Sequence, residues 1–299
     1  MPITEPHQRE FRGLVMGPGT PYPWTVEEGL ETLSVRSGTR AAPRAAGSIP
    51  GLHVADSKRI VVRGWVDAHS VSEMETLWAT LRAAFTVSES EQHQYRFRHE
   101  DGIDRFVWAR VLDRPSQRDQ DSEATGVPEW SVGFEVADPR IYSVELFSAI
   151  VPLFSAGGGE LDFPGEFPED WGEIVLTNAT LTNTGDQDAY PLFRFQFPAG
   201  GTGDCDGVTV TNTTNGDLLE IAATDILQAG QTLVADMDAY ARAVADNLIV
   251  SIGSSSRFGA WSHPRDPLKL SPGENILTFE VDGTTEDIIC RADWRSTSI

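Results

Sequence analysis

Between residues 172 and 294 the chain is written almost entirely in short runs that alternate apolar and polar side chains. They read GEIVLTNATLTN, AYPLFRFQF, DGVTVTN, DLLEIA, QTLVAD, DNLIVSI, NILTFEV and EDIICRADW, with Gly, Asn, Asp or Pro between them. A period of two marks a strand with one buried face. Regular spacing of such runs over ~130 residues predicts an antiparallel sandwich or barrel rather than a parallel α/β sheet. The punctuation is specific. Asn215-Gly216 is a type I′ hairpin signal. Pro272-Gly273 suits the two centres of a type II turn, Pro presetting φ and Gly taking the positive one.

The first half reads differently. RIVVRGWVD (59–67) alternates as a strand, and SVSEMETLWATLRAAF (70–85) follows as the one clear helix. Ser70 with Glu73, and Ser72 with Glu75, compete as capping boxes. Met74, Leu77, Trp78, Leu81 and Phe85 fall on one helical face, a stripe best read as core. Strands are predicted at 94–99, 105–112 and 129–138, with Asp101-Gly102 turning the first hairpin. The expectation is an α+β unit of antiparallel strands with one helix on a face. Residues 36–57, rich in Gly, Ala, Ser and Arg and without periodicity, read as a long loop or linker ordered on assembly. Residues 155–170, rich in Gly, Pro and acid, mark a linker, so the expected domains are 1–154 and 171–299.

Composition narrows the function. The 299 residues carry a formal charge of −22. Residues 1–150 hold 16 basic and 22 acidic side chains, net −6, and residues 151–299 hold 7 and 23, net −16. An acidic second half repels phosphate backbones, so no nucleic-acid binding site is expected. Neither is a membrane segment, since no apolar run approaches ~20 residues. The polar start MPITEPHQREFRG carries no secretory h-region. Cys205 and Cys290 are the two cysteines, too few for a structural zinc site and expected to stay reduced in a cytoplasm.

Chemistry-bearing patterns are scarce. The six histidines are His7, His53, His69, His93, His99 and His263, none paired with another at metal-ligand spacing. No G-x-S-x-G, H-E-x-x-H, P-loop or dinucleotide fingerprint occurs. Asp204, Asp206, Asp282 and Asp287 sit in acidic turns that do not match an EF-hand ligand order, so no metal is expected. No catalytic residue and no cofactor site is expected either. Trp171, Trp261 and Trp294 with Phe258 offer the leading alternative, a sugar-stacking platform on a carbohydrate-binding adhesin module for host-surface glycans, ahead of a hydrolase whose carboxylate pair no pattern singles out. A tryptophan in a sandwich is more often core or interface, and at least two of the three are expected to be packed.

Several phrases, in this order, carry a resemblance. RAAPRAAGSIPG followed by RIVVRGWVDAHSVSEMETLWATLRAAF, then RFVWARVLD, FEVADPRIYS (134–143), LTNTGDQDAYPLFRF (181–195) and LSPGENILTFEV (270–281) resemble the distal tail proteins of long-tailed, non-contractile bacteriophages. The likeness spans nearly the whole chain. It implies a mainly β protein, with a tail-tube-like first domain and a galectin-like β-sandwich as the second. It implies a structural virion protein of the tail tip, not an enzyme, that forms a homohexameric ring around a channel. The partners it implies are the tail tube protein, the tape measure protein and the tail tip hub proteins, and it gives loop 36–57 a role across a neighbouring subunit. A galectin-like sandwich does not by itself mean sugar binding. A ring needs a heterologous, closing contact, and strands 59–67 and 105–112 are the expected edges for it.

Overall fold

The computed structural model describes residues 3–32, 34–41, 48, 49, 51, 53–87, 91–113, 128–153, 177–199, 204–238, 250–261, 267–282 and 288–299. The chain divides into two compact units between Val144 and Glu145. That is earlier than the expected boundary. Strand Phe147–Leu153, assigned by sequence to the first domain, pairs along its whole length with Ile288–Trp294 of the second unit. The stretch 155–170, read as a linker, lies outside the described residues.

In the first unit the strands are β1 (Arg9–Phe11), β2 (Leu14–Met16), β3 (Trp24–Glu28), β4 (Val35–Ser37), β5 (Arg40–Ala41), β6 (Ser48–Ile49), β7 (His53–Ala55), β8 (Lys58–Trp65), β9 (His93–Arg98), β10 (Asp104–Asp113), β11 (Glu129–Val136) and β12 (Ile141–Ser143). The main sheet runs β2-β1-β9-β10-β11-β8-β3, with β12 on β10. It curls. Strand β10 lies along β9 from Asp104 to Ala109 and along β11 from Arg110 onward, with a bulge between Val111 and Asp113. Phe11 on β1 and Phe134 on β11 meet with ring centroids 5.0 Å apart. In a flat sheet those strands, three places apart, would be separated by about 14 Å.

The helix α1 (Val71–Ala84) fills the hollow. Ser70 caps it, its hydroxyl accepting from Glu73 N, while the Glu73 carboxylate accepts from His69 N. The alternative cap at Ser72 is not used. Met74, Trp78 and Leu81 are buried, as the stripe predicts, and Phe85 just beyond is buried against Phe11, Trp130 and Phe134.

The second unit is a sandwich of two antiparallel sheets. Its strands are β13 (Phe147–Leu153), β14 (Thr177–Asn183), β15 (Leu192–Gln196), β16 (Asp204–Asn212), β17 (Leu218–Gln228), β18 (Thr232–Asp236), β19 (Val250–Ile252), β20 (Ser255–Ser256), β21 (Gly273–Asp282) and β22 (Ile288–Trp294). One sheet runs β13-β22-β15-β18-β19-β20 and the other β14-β21-β16-β17. The alternation written in the sequence becomes the core: Phe193, Phe195, Val208, Val210, Leu277, Phe279 and Cys290 all point inward. The protein is thus mainly β, an α+β unit followed by a β-sandwich.

The two turns came out differently. Gly273 takes φ +94°, as the Pro-Gly turn requires, and Asn275 pins the turn. Its side-chain oxygen accepts from Ser271 N, and its amide donates to the carbonyls of Ser271 and Gly273. At Asn215-Gly216 only Gly216 has positive φ, so the turn is not type I′. Asn215 is held instead by side-chain bonds to Asp217 N, Lys269 O and Ser271 Oγ.

Candidate assembly interface

Of the residues singled out for chemistry, few come together. Cys205 and Cys290 are both buried and unpaired, on opposite sheets of the sandwich. Burial pushes the Cys205 thiol up to about 11 and the Cys290 thiol higher still, so neither is a nucleophile near neutral pH. Gly207 pairs with Asp282, which brings Asp206 and Asp282 near Cys205. Among the described residues no group of three or more His, Cys, Asp or Glu is arranged to hold a metal. Asp287 lies outside them.

The tryptophan platform is not assembled. Trp261 is buried in the sandwich core and Trp294 is buried against Phe147, its Nε1 donating to Thr182 O. Trp171 lies outside the described residues, as does the Phe258 side chain. Two of the three tryptophans are packed, as expected.

The first unit holds a buried charged network. Arg9 is buried and donates through Nε and Nη2 to the two oxygens of Glu27, at 2.9 and 2.7 Å. Its Nη1 donates to the carbonyls of Gln8 and Arg98, and its guanidinium stacks 4.8 Å from the Trp24 ring centroid. Tyr95 Oη donates to Glu27 Oε1 at 2.5 Å. Burial works against the Arg9 charge, but Glu27 outweighs it and the guanidinium is held above its usual range. Burial, then Glu27, push the Tyr95 hydroxyl well up. These groups border an open hollow of about 460 Å³ that also takes in His99 and Glu31. The ionisable side chains at its base are spent on one another. The network's effect is structural, tying β1 to β3 across the curl.

That matters because β3 is an edge. The strands expected to offer edges, 59–67 and 105–112, do not. Strand β8 is flanked by β11 and β3, and β10 by β9 and β11. The reason is that Trp24–Glu28, which the sequence reading left unassigned, adds to β8 and takes the outer place. A bulge between Trp24 and Val26 interrupts its ladder, and Glu27 and Glu28 end it. The other end of the sheet is β2.

Residues 36–57 are not structureless either. Val35–Ser37 pairs antiparallel with His53–Ala55, and Arg40–Ala41 with Ser48–Ile49, the two short ladders offset by one residue. The side chains of β4 are exposed. A strand with every side chain exposed has no reason to alternate, and VRS does not. A two-stranded ribbon is marginal in water alone.

No family model matches the sequence, and no curated protein resembles it significantly. Structure comparison succeeds where sequence comparison does not. The fold is similar to that of the Dit protein of phage SPP1, described as a paradigm of the hub adsorption apparatus in phages that infect Gram-positive bacteria. The match has a TM-score of 0.64 at 11% identity and covers 99% of this chain and 100% of that one. Two structures of the phage p2 baseplate in its activated conformation, with Sr and with Ca, match at 10% identity with TM-scores of 0.49 and 0.48. Each covers 96% of this chain and 97% of the other. What this chain shares with SPP1 Dit is the fold, over nearly the full length of both chains.

Proposed function

We propose that this chain is a structural virion protein of a phage tail tip, a distal tail protein that joins the tail tube to the host-recognition apparatus. The observation that carries the reading is the end-to-end correspondence with SPP1 Dit, with no large segment of either chain left over. A shared catalytic domain with a variable remainder would give partial coverage.

In this reading the first unit is tail-tube-like and closes a ring of six copies, while the sandwich is a galectin-like platform for other tip proteins. Two features of the first unit support a ring. The β3 edge offers unpaired backbone to a neighbouring strand, as a heterologous contact needs. Strand β4, paired with β7, has exposed side chains and would gain a partner by lying across the next subunit. The tail tube protein, the tape measure protein and the tip hub proteins are the partners proposed on the two sides of that ring. The role is one of assembly and needs no catalysis.

The adhesin alternative needs an exposed aromatic in a concave polar site. Burial of Trp261 and Trp294 removes two of its three candidates. Negative-stain images of the purified chain should show sixfold rings with a central hole. Specific binding of the full chain on a glycan array, lost when Trp171 is changed to Ala, would favour the adhesin instead.

A further inference from the structure

The two outer faces of the sandwich differ in chemistry. On the β13-β22-β15 side, Ile150, Arg291 and Arg194 stand in one cross-strand row, because Ile150 pairs with Arg291 and Arg291 with Arg194. Ile289, two residues before Arg291, shares that face, paired with Pro152. Like charges directly opposite one another on adjacent strands repel. Asp293 offsets this by accepting from Arg291 Nε at 2.9 Å and from Arg194 Nη1. The row stays open to solvent, with Ile150 69% exposed and the Arg291 and Arg194 side chains 50% and 42% exposed.

The opposite face, on β14-β21-β16-β17, is its complement. Glu274, Ile276, Thr278 and Glu280 alternate outward along β21, beside Thr180 and Thr182 on β14 and Thr209 and Thr211 on β16. Among the described residues no Lys or Arg stands on those strands, and neither Glu274 nor Glu280 has an ion-pair partner. Ile276 is 48% exposed between them. One face thus has isoleucine beside arginine, the other isoleucine between unpaired glutamates. Arginine is among the residues enriched in interfaces, and opposite charges facing each other across one fix partner and register. Only 7 cations occur in residues 151–299, and two of them are adjacent on this face.

We propose that the two faces dock on each other between copies of the chain, the Arg194/Arg291 face of one sandwich against the Glu274/Glu280 face of the next. The contact is heterologous, so it propagates around a ring rather than closing a pair. It rests on the ring reading above and adds to it a second belt of contacts, made by the sandwiches.

The test is disulfide trapping in the full-length chain. Ile289→Cys with Ile276→Cys in one chain should give a covalent ladder under mild oxidation, and either substitution alone should not. Adding Arg291→Glu should slow trapping at least tenfold, and a further Glu280→Arg should restore it. A chain that assembles into rings yet gives no ladder, or a ladder indifferent to Arg291→Glu, overturns the sandwich contact and leaves the ring reading intact. A monomeric chain overturns both.

Discussion

Replacing Glu27 with Ala should destabilise the first unit severely, and the size of the loss follows from what it strands. Arg9 would keep its charge, with its side chain only 3% exposed, and lose the acceptors of Nε and Nη2. Tyr95, fully buried, would lose the acceptor of its hydroxyl. Removing one partner of a buried pair costs about 3–5 kcal/mol, because the remaining charge cannot be rehydrated. For a unit of this size that corresponds to a fall in Tm of roughly 10–17 °C. Replacing both, as Arg9→Met with Glu27→Leu, should recover the part of the loss that belongs to the ion pair, since a well-packed apolar pair of similar volume is often neutral, while the Tyr95 hydroxyl stays without its acceptor. Thermal unfolding of the wild type, Arg9→Met, Glu27→Leu and the double variant, followed by circular dichroism, gives the coupling directly. A Glu27→Ala loss below about 1 kcal/mol, or a double variant no better than the single, would show that water reaches the site.

Further outcomes are expected. Trp78→Ala removes the largest side chain that the helix buries and should cost about 3–5 kcal/mol. An intact fold losing under 1 kcal/mol would make the helix face a surface. Alkylation without reductant should label Cys205 and Cys290 only after unfolding, since both are buried with raised pKa values. A disulfide between them in untreated protein would contradict the structure. His93 is held below its usual pKa by burial first and then by Arg12, with Glu91 opposing. The folded state therefore binds fewer protons there than the unfolded chain, and that stabilisation is present above a pH of about 6.5 and lost as pH falls below it. Tm should fall between pH 7.5 and 5.5, less steeply in His93→Gln; equal slopes would show that His93 does not contribute.

How far the sequence could be read depended on whether an element buries a face. The sandwich strands and helix 71–84 each bury one, so Phe193, Phe195 and Trp78 announced themselves by period. Strand β4 buries no side chain, and its stretch reads as a loop. Strand β3 was missed for a related reason: in WTVEE its side chains are exposed or half-buried, and its place is fixed by backbone pairing to β8. That miss moved the expected edges to β8 and β10. The Arg9–Glu27–Tyr95 network was illegible because its members lie 18 and 68 residues apart and meet only once the sheet curls. At Asn215-Gly216 the local signal for a type I′ turn lost to side-chain bonds with Lys269 and Ser271, which local sequence cannot foresee. The domain boundary was drawn at a composition change, whereas the strand pairing of Phe147–Leu153 decides it.

The central claim is that the chain exists to close a ring, and native mass spectrometry of the purified full-length protein tests it most directly. The account predicts a dominant species at six times 32.7 kDa. A protein that stays monomeric at tens of micromolar, or forms only a twofold dimer, would contradict it.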